Sequence, residues 1–195
     1  MGKKRSLNTY RLIDLAAFAV MLCAFELIIQ KAASGTVFRD QAFTVSLAGA
    51  MVSIVFMRWG LWGGIHAALA GAVYVFSCGG TARQLIVYAL GNLLSLLIVP
   101  VMDRTGRERI RKSRLLFIPF GAGTLLLMQT GRALLSLLMG NPLSECLRFI
   151  TTDSLSLVFT LVILWIARRL DGVYEDQLLY LERINREGPG EEESL

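Results

Sequence analysis

Polar residues able to grip a ligand recur in this chain at helical spacing inside apolar sequence. Gln84, Tyr88 and Asn92 are spaced four and four, Gln129, Arg132 and Ser136 share one helix face, and Glu26 and Gln30 lie four apart. Thr152, Asp153 and Ser156 complete the set. A guanidinium, carboxylates, amides and a phenol can hold an anionic or carbonyl-bearing solute by charge-assisted and neutral hydrogen bonds. Bond-making chemistry has no such support. The sequence contains no HExxH, no paired cysteine motif, no GxSxG, no carboxylate pair at catalytic spacing and no P-loop. It therefore reads as a non-enzymatic chain without a metal or cofactor. His66, the one histidine, reads as a packed or hydrogen-bonded side chain sooner than a ligand or base.

These residues must be positioned by membrane helices. The chain has 195 residues, 54% of them hydrophobic and 18% charged, with a mean hydropathy of +0.56, which is too apolar for a soluble domain of that length. Six apolar runs, at 12–30, 42–57, 61–78, 85–102, 115–139 and 151–167, reach or approach the roughly 20 residues that span a bilayer as a helix. The expected fold is all-α: a polytopic membrane protein with a six-transmembrane-helix bundle and a cytoplasmic amphipathic C-terminal helix.

The segment 103–114, DRTGRERIRKSR, orients the runs. Arg104, Arg107, Arg109, Arg111, Lys112 and Arg114 sit between two of them, offset by Asp103 and Glu108, and basic residues in short loops stay on the cytoplasmic side. With six helices, both termini and the Arg58 turn then fall inside as well. Lys3, Lys4, Arg5 and Arg11 precede the first run and Arg168 and Arg169 follow the last; the opposite connections carry fewer basic residues, Lys31, Arg39, Arg83 and Arg148. The first run holds Asp14 and Glu26 and lacks a small-residue cleavage site, so it reads as a retained helix and not a signal peptide. Multi-pass membrane insertion with both termini cytoplasmic follows. Topology also accounts for the net charge of +5, and no nucleic acid is implied.

The chain divides into a cytoplasmic N-terminus (1–11), a membrane domain (12–169), an amphipathic cytoplasmic helix (170–187) and an acidic tail (188–195) expected to be disordered. Leu170, Val173, Leu178, Leu181 and Ile184 give the third part its helical spacing. In the third run Gly60, Gly64, Ala68 and Ala72 recur every four residues beside Gly63, Ala67 and Gly71. Small residues let helices approach closely in lipid, so this run is expected at the centre of the bundle. Gly64, Ala68 and Ala72, with Ala16, Ala19 and Cys23 of the first run, could instead dock a partner. Cys78 and Cys146 both fall on the outer side, which leaves a disulfide between them open.

The polar stripes gather in the outer halves of the helices, implying an outward-facing pocket. Its expected substrate-binding residues are Glu26, Tyr88, Asn92, Gln129, Arg132 and Asp153, with Tyr74, Phe76 and Phe149 as ring contacts. The competing reading is structural: Arg132 pairs with Glu26 or Asp153 and only neutralises buried charge.

The six runs, the alanines of the first, the small-residue-rich WGLWGGIHAALAGAVY and the YALGNLLSLL that follows together resemble the substrate-binding S component of an energy-coupling factor transporter. The resemblance implies a small protein of the bacterial plasma membrane that captures a vitamin-like solute near the outer face. Its implied partners are a transmembrane coupling subunit and two ATPase subunits, besides membrane lipid. Two departures are visible: the alanine motif of the first helix is partial, with Ala19 and Cys23 its nearest four-spaced pair, and Leu61 stands where a proline often follows the glycine before the third helix. A membrane scaffold of the rod-shape-determining kind is the alternative of similar size and helix number.

Overall fold

A computed structural model of the chain describes residues 7–35 and 45–187. Every regular element among them is helical: α1 (Leu7–Gly35), α2 (Ala48–Trp59), α3 (Gly63–Ser77), α4 (Ala82–Gly91), α5 (Ile98–Thr105), α6 (Arg107–Lys112), α7 (Phe117–Leu138), α8 (Leu143–Thr151), α9 (Ser154–Ala167) and α10 (Gln177–Glu187). Short 3-10 stretches, Gly60–Trp62 and Asn92–Leu97, join α2 to α3 and α4 to α5. Lys3, Lys4, Arg5, Arg39 and the tail 188–195 lie outside the described residues.

Four helical runs, Leu7–Ala32, Ala48–Ser77, Ala82–Thr105 and Leu143–Ala167, are long and apolar enough to cross a membrane. Over an apolar 18-residue stretch of each, 83% of the residues are buried in the second, against 17% in the first and 22% in the last. Outer helices that turn Leu12, Val20, Ile28, Val158 and Val162 outward would be insoluble in water and are matched by hydrocarbon. α7 is 22 residues long but carries Gln129 and Arg132 in its middle, and it is not among the four.

The run Ala48–Ser77 folds back on itself. Gly60 takes φ +57, a left-handed conformation that a glycine adopts with no Cβ penalty, and Gly63 then lies so close to the Phe56 ring that a methyl group would not fit. The centre of the bundle is α2 rather than the expected third run: all twelve of its residues are buried, against α1, α3, α7 and α9. α3 beside it buries Gly63, Gly64, Ala67, Ala70 and Gly71.

One end of the bundle is an ion-pair network. The Asp14 carboxylate accepts from Arg58 Nε at 2.9 Å and Nη2 at 2.5 Å and from Trp59 Nε1 at 2.6 Å. Arg58 Nη1 also donates to the carbonyls of Gly172 and, at 3.0 Å, Val173. Arg107 pairs with Asp176 at 2.7 Å and Arg111 with Glu175. The 103–114 segment and the stretch after α9 are thus bound to each other and to the start of α1. Tyr174, fully buried there, meets the Phe120 ring edge-on at 6.3 Å. Helix α10 starts only at Gln177, seven residues later than its apolar spacing suggests, because Gly172 (φ +70) turns the chain and its carbonyl serves Arg58 and Gln177. Trp59, Trp62 under Arg11 and Trp165 under Arg169 all lie at this basic end.

Candidate functional site

The site is built on a close helix crossing. A Cβ on Gly131 of α7 would overlap the carbonyl oxygen of Gly91, and one on Gly91 would sit 2.7 Å from the Arg132 nitrogen. Only glycine at both positions lets the two backbones touch. The residues that follow, Asn92 and Arg132, are thereby brought side to side: Arg132 Nε donates to Asn92 Oδ1 at 2.7 Å, and Asn92 Nδ2 donates to the Ala67 carbonyl of α3 at 2.8 Å. Gly71 makes a similar contact with the main chain at Tyr88.

Arg132 then gathers the other groups. Its Nη1 lies 3.5 Å from Asp153 Oδ2, and Gln129 Nε2 donates to that oxygen at 3.3 Å. Its guanidinium stands 4.8 Å from the centre of the Tyr88 ring, a cation–π distance. Tyr88 stacks on Tyr74 at 4.9 Å and meets Phe149 edge-on at 5.6 Å. All the polar members are deep: Asn92 is 0%, Gln129 2%, Asp153 6% and Arg132 7% exposed. Two of them sit where long apolar runs leave α geometry. Asn92 opens the 3-10 stretch, and Thr152 and Asp153 interrupt Leu143–Ala167 between α8 and α9. Irregular backbone at membrane depth is tolerated where it faces protein or a cavity.

A cavity of about 30 Å³ lies among Ser46, Ala70, Tyr74, Tyr88, Arg132, Phe149, Thr152 and Asp153, room for about one water. A larger cleft of about 420 Å³ adjoins it, bounded by Thr81, Gln84, Ser136, Asn141, Glu145, Arg148 and again Tyr88 and Phe149. These two rings line both the cleft and the cavity.

Of the expected substrate-binding residues, Tyr88, Asn92, Gln129, Arg132 and Asp153 come together. Glu26 sits to one side. It accepts from Ser46 Oγ at 2.7 Å and the Leu47 amide at 2.8 Å, so it caps the start of α2, where a carboxylate is favoured. It reaches the cavity only through Ser46, and its Oε2 has no partner among the described residues. The outer members of the stripes have local work: Gln84 forms a capping box with Thr81, Gln30 donates to the Val45 carbonyl at 3.4 Å, and Ser136 accepts from Asn141 at 2.7 Å.

Among the docking residues, Ala16 is exposed, Ala19, Cys23, Ala68 and Ala72 are half-buried, and Gly64 is buried against Leu96. His66 Nε2 bonds the Leu15 carbonyl at 2.9 Å. Cys78 and Cys146 are both free thiols, and no group of residues able to hold a metal occurs among the described residues. Sequence reasoning passed over Gly91, Gly131 and Ser46, and the Asp14–Arg58 pair. The glycines had a signal in standing one residue before Asn92 and Arg132; Asp14 had one as a lone carboxylate early in an apolar run.

Compared with known proteins, the chain matches no family model, no curated protein and no solved structure.

Proposed function

We propose that this chain is a multi-pass membrane subunit that captures a small organic solute at Arg132, as the S component of an energy-coupling factor importer would. The observation that carries the reading is the buried Arg132–Asp153–Asn92 cluster beneath the Tyr88 and Phe149 rings. Charges cost roughly 2.5–3.5 kcal/mol at mid-helix on insertion scales, and those kept at depth mark ligand or ion paths by default. Six antiparallel passages account for the contacts: α1 outward, α2 inward, α3 outward, α4 with α5 inward, α7 outward, α8 with α9 inward. The Asp14–Arg58 end is then cytoplasmic by the charge of segment 103–114, and α10 lies on that side. The Arg132 cluster faces the outer half.

In this reading a solute arrives through the outer cleft and parts Tyr88 from Phe149. Its anionic or carbonyl group replaces part of the Asp153 contact to Arg132, and its flat portion stacks on Tyr74 or Tyr88. A solute of vitamin size needs some hundreds of Å³, far more than about 30 Å³, so binding entails outward movement of the Phe149 end of α8. A coupling subunit and ATPases would energise release.

The scaffold reading has one observation in its favour, the small size of that cavity around a paired arginine. Native mass spectrometry of the chain extracted in mild detergent from its own membrane separates the two. A small organic adduct that disappears in Arg132→Met/Asp153→Leu, a swap that removes the ion pair without leaving a buried charge, is the expected result. A chain free of adducts and bound only to cell-envelope proteins overturns the capture reading.

A further inference from the structure

The basic end holds a second recess. Between α6 and the end of α9 lies a cleft of about 260 Å³ bounded by Arg111, Lys112, Arg168, Arg169, Leu170 and Asp171. Four cationic side chains thus face one carboxylate. Part of that charge is absorbed, since Arg111 pairs with Glu175 and, at 3.6 Å, with Asp171, and Lys112 pairs with Glu108 at 3.0 Å. Arg168 and Arg169 have no carboxylate within ion-pair distance among the described residues. They are nonetheless held in place: Arg168 Nη1 donates to the Ser113 carbonyl at 2.6 Å, which leaves its other N–H groups free of that bond, and the Arg169 guanidinium lies 4.0 Å from the Trp165 ring centre.

We propose that this cleft binds the phosphate headgroup of an anionic phospholipid. Two positioned guanidinium groups suit the oxygens of a phosphodiester. The place selects a lipid over a free phosphate. Arg168 directly follows the apolar run Leu143–Ala167, where hydrocarbon gives way to headgroups, and Trp165, Leu115 and Leu170 expose apolar surface beside the cations for the acyl chains. Basic recesses at the ends of membrane helices are suited to such headgroups. The proposal rests on membrane insertion alone and is independent of any solute at Arg132.

The test is lipid retention by the full-length chain in mild detergent, read by native mass spectrometry with phosphatidylglycerol and phosphatidylcholine. Phosphatidylglycerol should be favoured about tenfold, and Arg168→Gln/Arg169→Gln should weaken it roughly 25-fold, about fivefold for each cation. Arg109→Gln/Arg114→Gln removes two exposed charges from the same basic loop outside the cleft and should leave retention nearly unchanged. Arg169→Gln alone, at an exposed position, should show about a fivefold loss even if the double variant does not fold. Equal loss in the cleft and control variants, equal retention of the zwitterionic lipid, or displacement by glycerol phosphate at the lipid's own concentration would each overturn the proposal.

Discussion

Gly131 rests against the carbonyl oxygen of Gly91, and this contact sets the register in which Arg132 meets Asn92. Adding a methyl group there must push α4 from α7. Gly131→Ala is expected to cost about 1–3 kcal/mol, the range for overpacking, and to lengthen the Arg132–Asn92 bond. A lowered thermal unfolding midpoint in detergent checks it; an unchanged midpoint would mean that the two backbones are not in contact.

The Arg132–Asp153 pair predicts an asymmetry. Asp153→Ala strands a buried guanidinium and should destabilise by about 3–5 kcal/mol, whereas Arg132→Met/Asp153→Leu should stay near wild-type stability. Equal losses in the two variants, measured by thermal unfolding, would show that more than charge pairing holds these helices.

At the basic end Asp14 neutralises Arg58, which also grips the Gly172 and Val173 carbonyls. Asp14→Ala should therefore loosen the stretch after α9 as well as α1. Limited trypsin digestion is expected to cut at Arg168 or Arg169 several times faster in the variant, while Asp14→Asn, which keeps a hydrogen-bond acceptor, falls between.

Burial raises the Tyr174 phenol above its ordinary value, and its hydroxyl has no partner among the described residues. The folded chain therefore resists an ionisation that the unfolded chain undergoes near pH 10. The associated stability is fully present below about pH 10 and is lost as pH rises beyond it. Tyr174→Phe should leave neutral-pH stability unchanged or raise it by up to about 1 kcal/mol, and should flatten the decline of the unfolding midpoint between about pH 9 and 11.

The helical class and the apolar runs were legible because membrane helices advertise themselves by composition. Spacing also pointed to residues that meet around Arg132, since one helix face carries Gln129 and Arg132 and another carries Tyr88 and Asn92. Glu26 stands apart from the Arg132 cluster for an instructive reason: its spacing with Gln30 gives a helix face, yet it is held by the Ser46 hydroxyl and the Leu47 amide, some twenty residues on in the chain. Main-chain partners leave no pattern in a sequence. The central position of α2 was hidden too, because a short helix of Ala, Val, Ile and Met reads the same whether lipid or protein surrounds it. Gly91 and Gly131 were overlooked because each is a single small residue whose value appears only when the opposing backbone is in place.

The clustering of Trp59, Trp62 and Trp165 gives the molecule a built-in optical label at one end. These are its three tryptophans, whereas the rings around Arg132 are tyrosine and phenylalanine. Ultraviolet emission excited at the red edge, where tyrosine scarcely absorbs, therefore reports on the Asp14–Arg58 network and the Arg169 cleft. A change in that emission on adding a solute that occupies the cavity would signal that the two ends communicate through the helices, without any dye or engineered reporter.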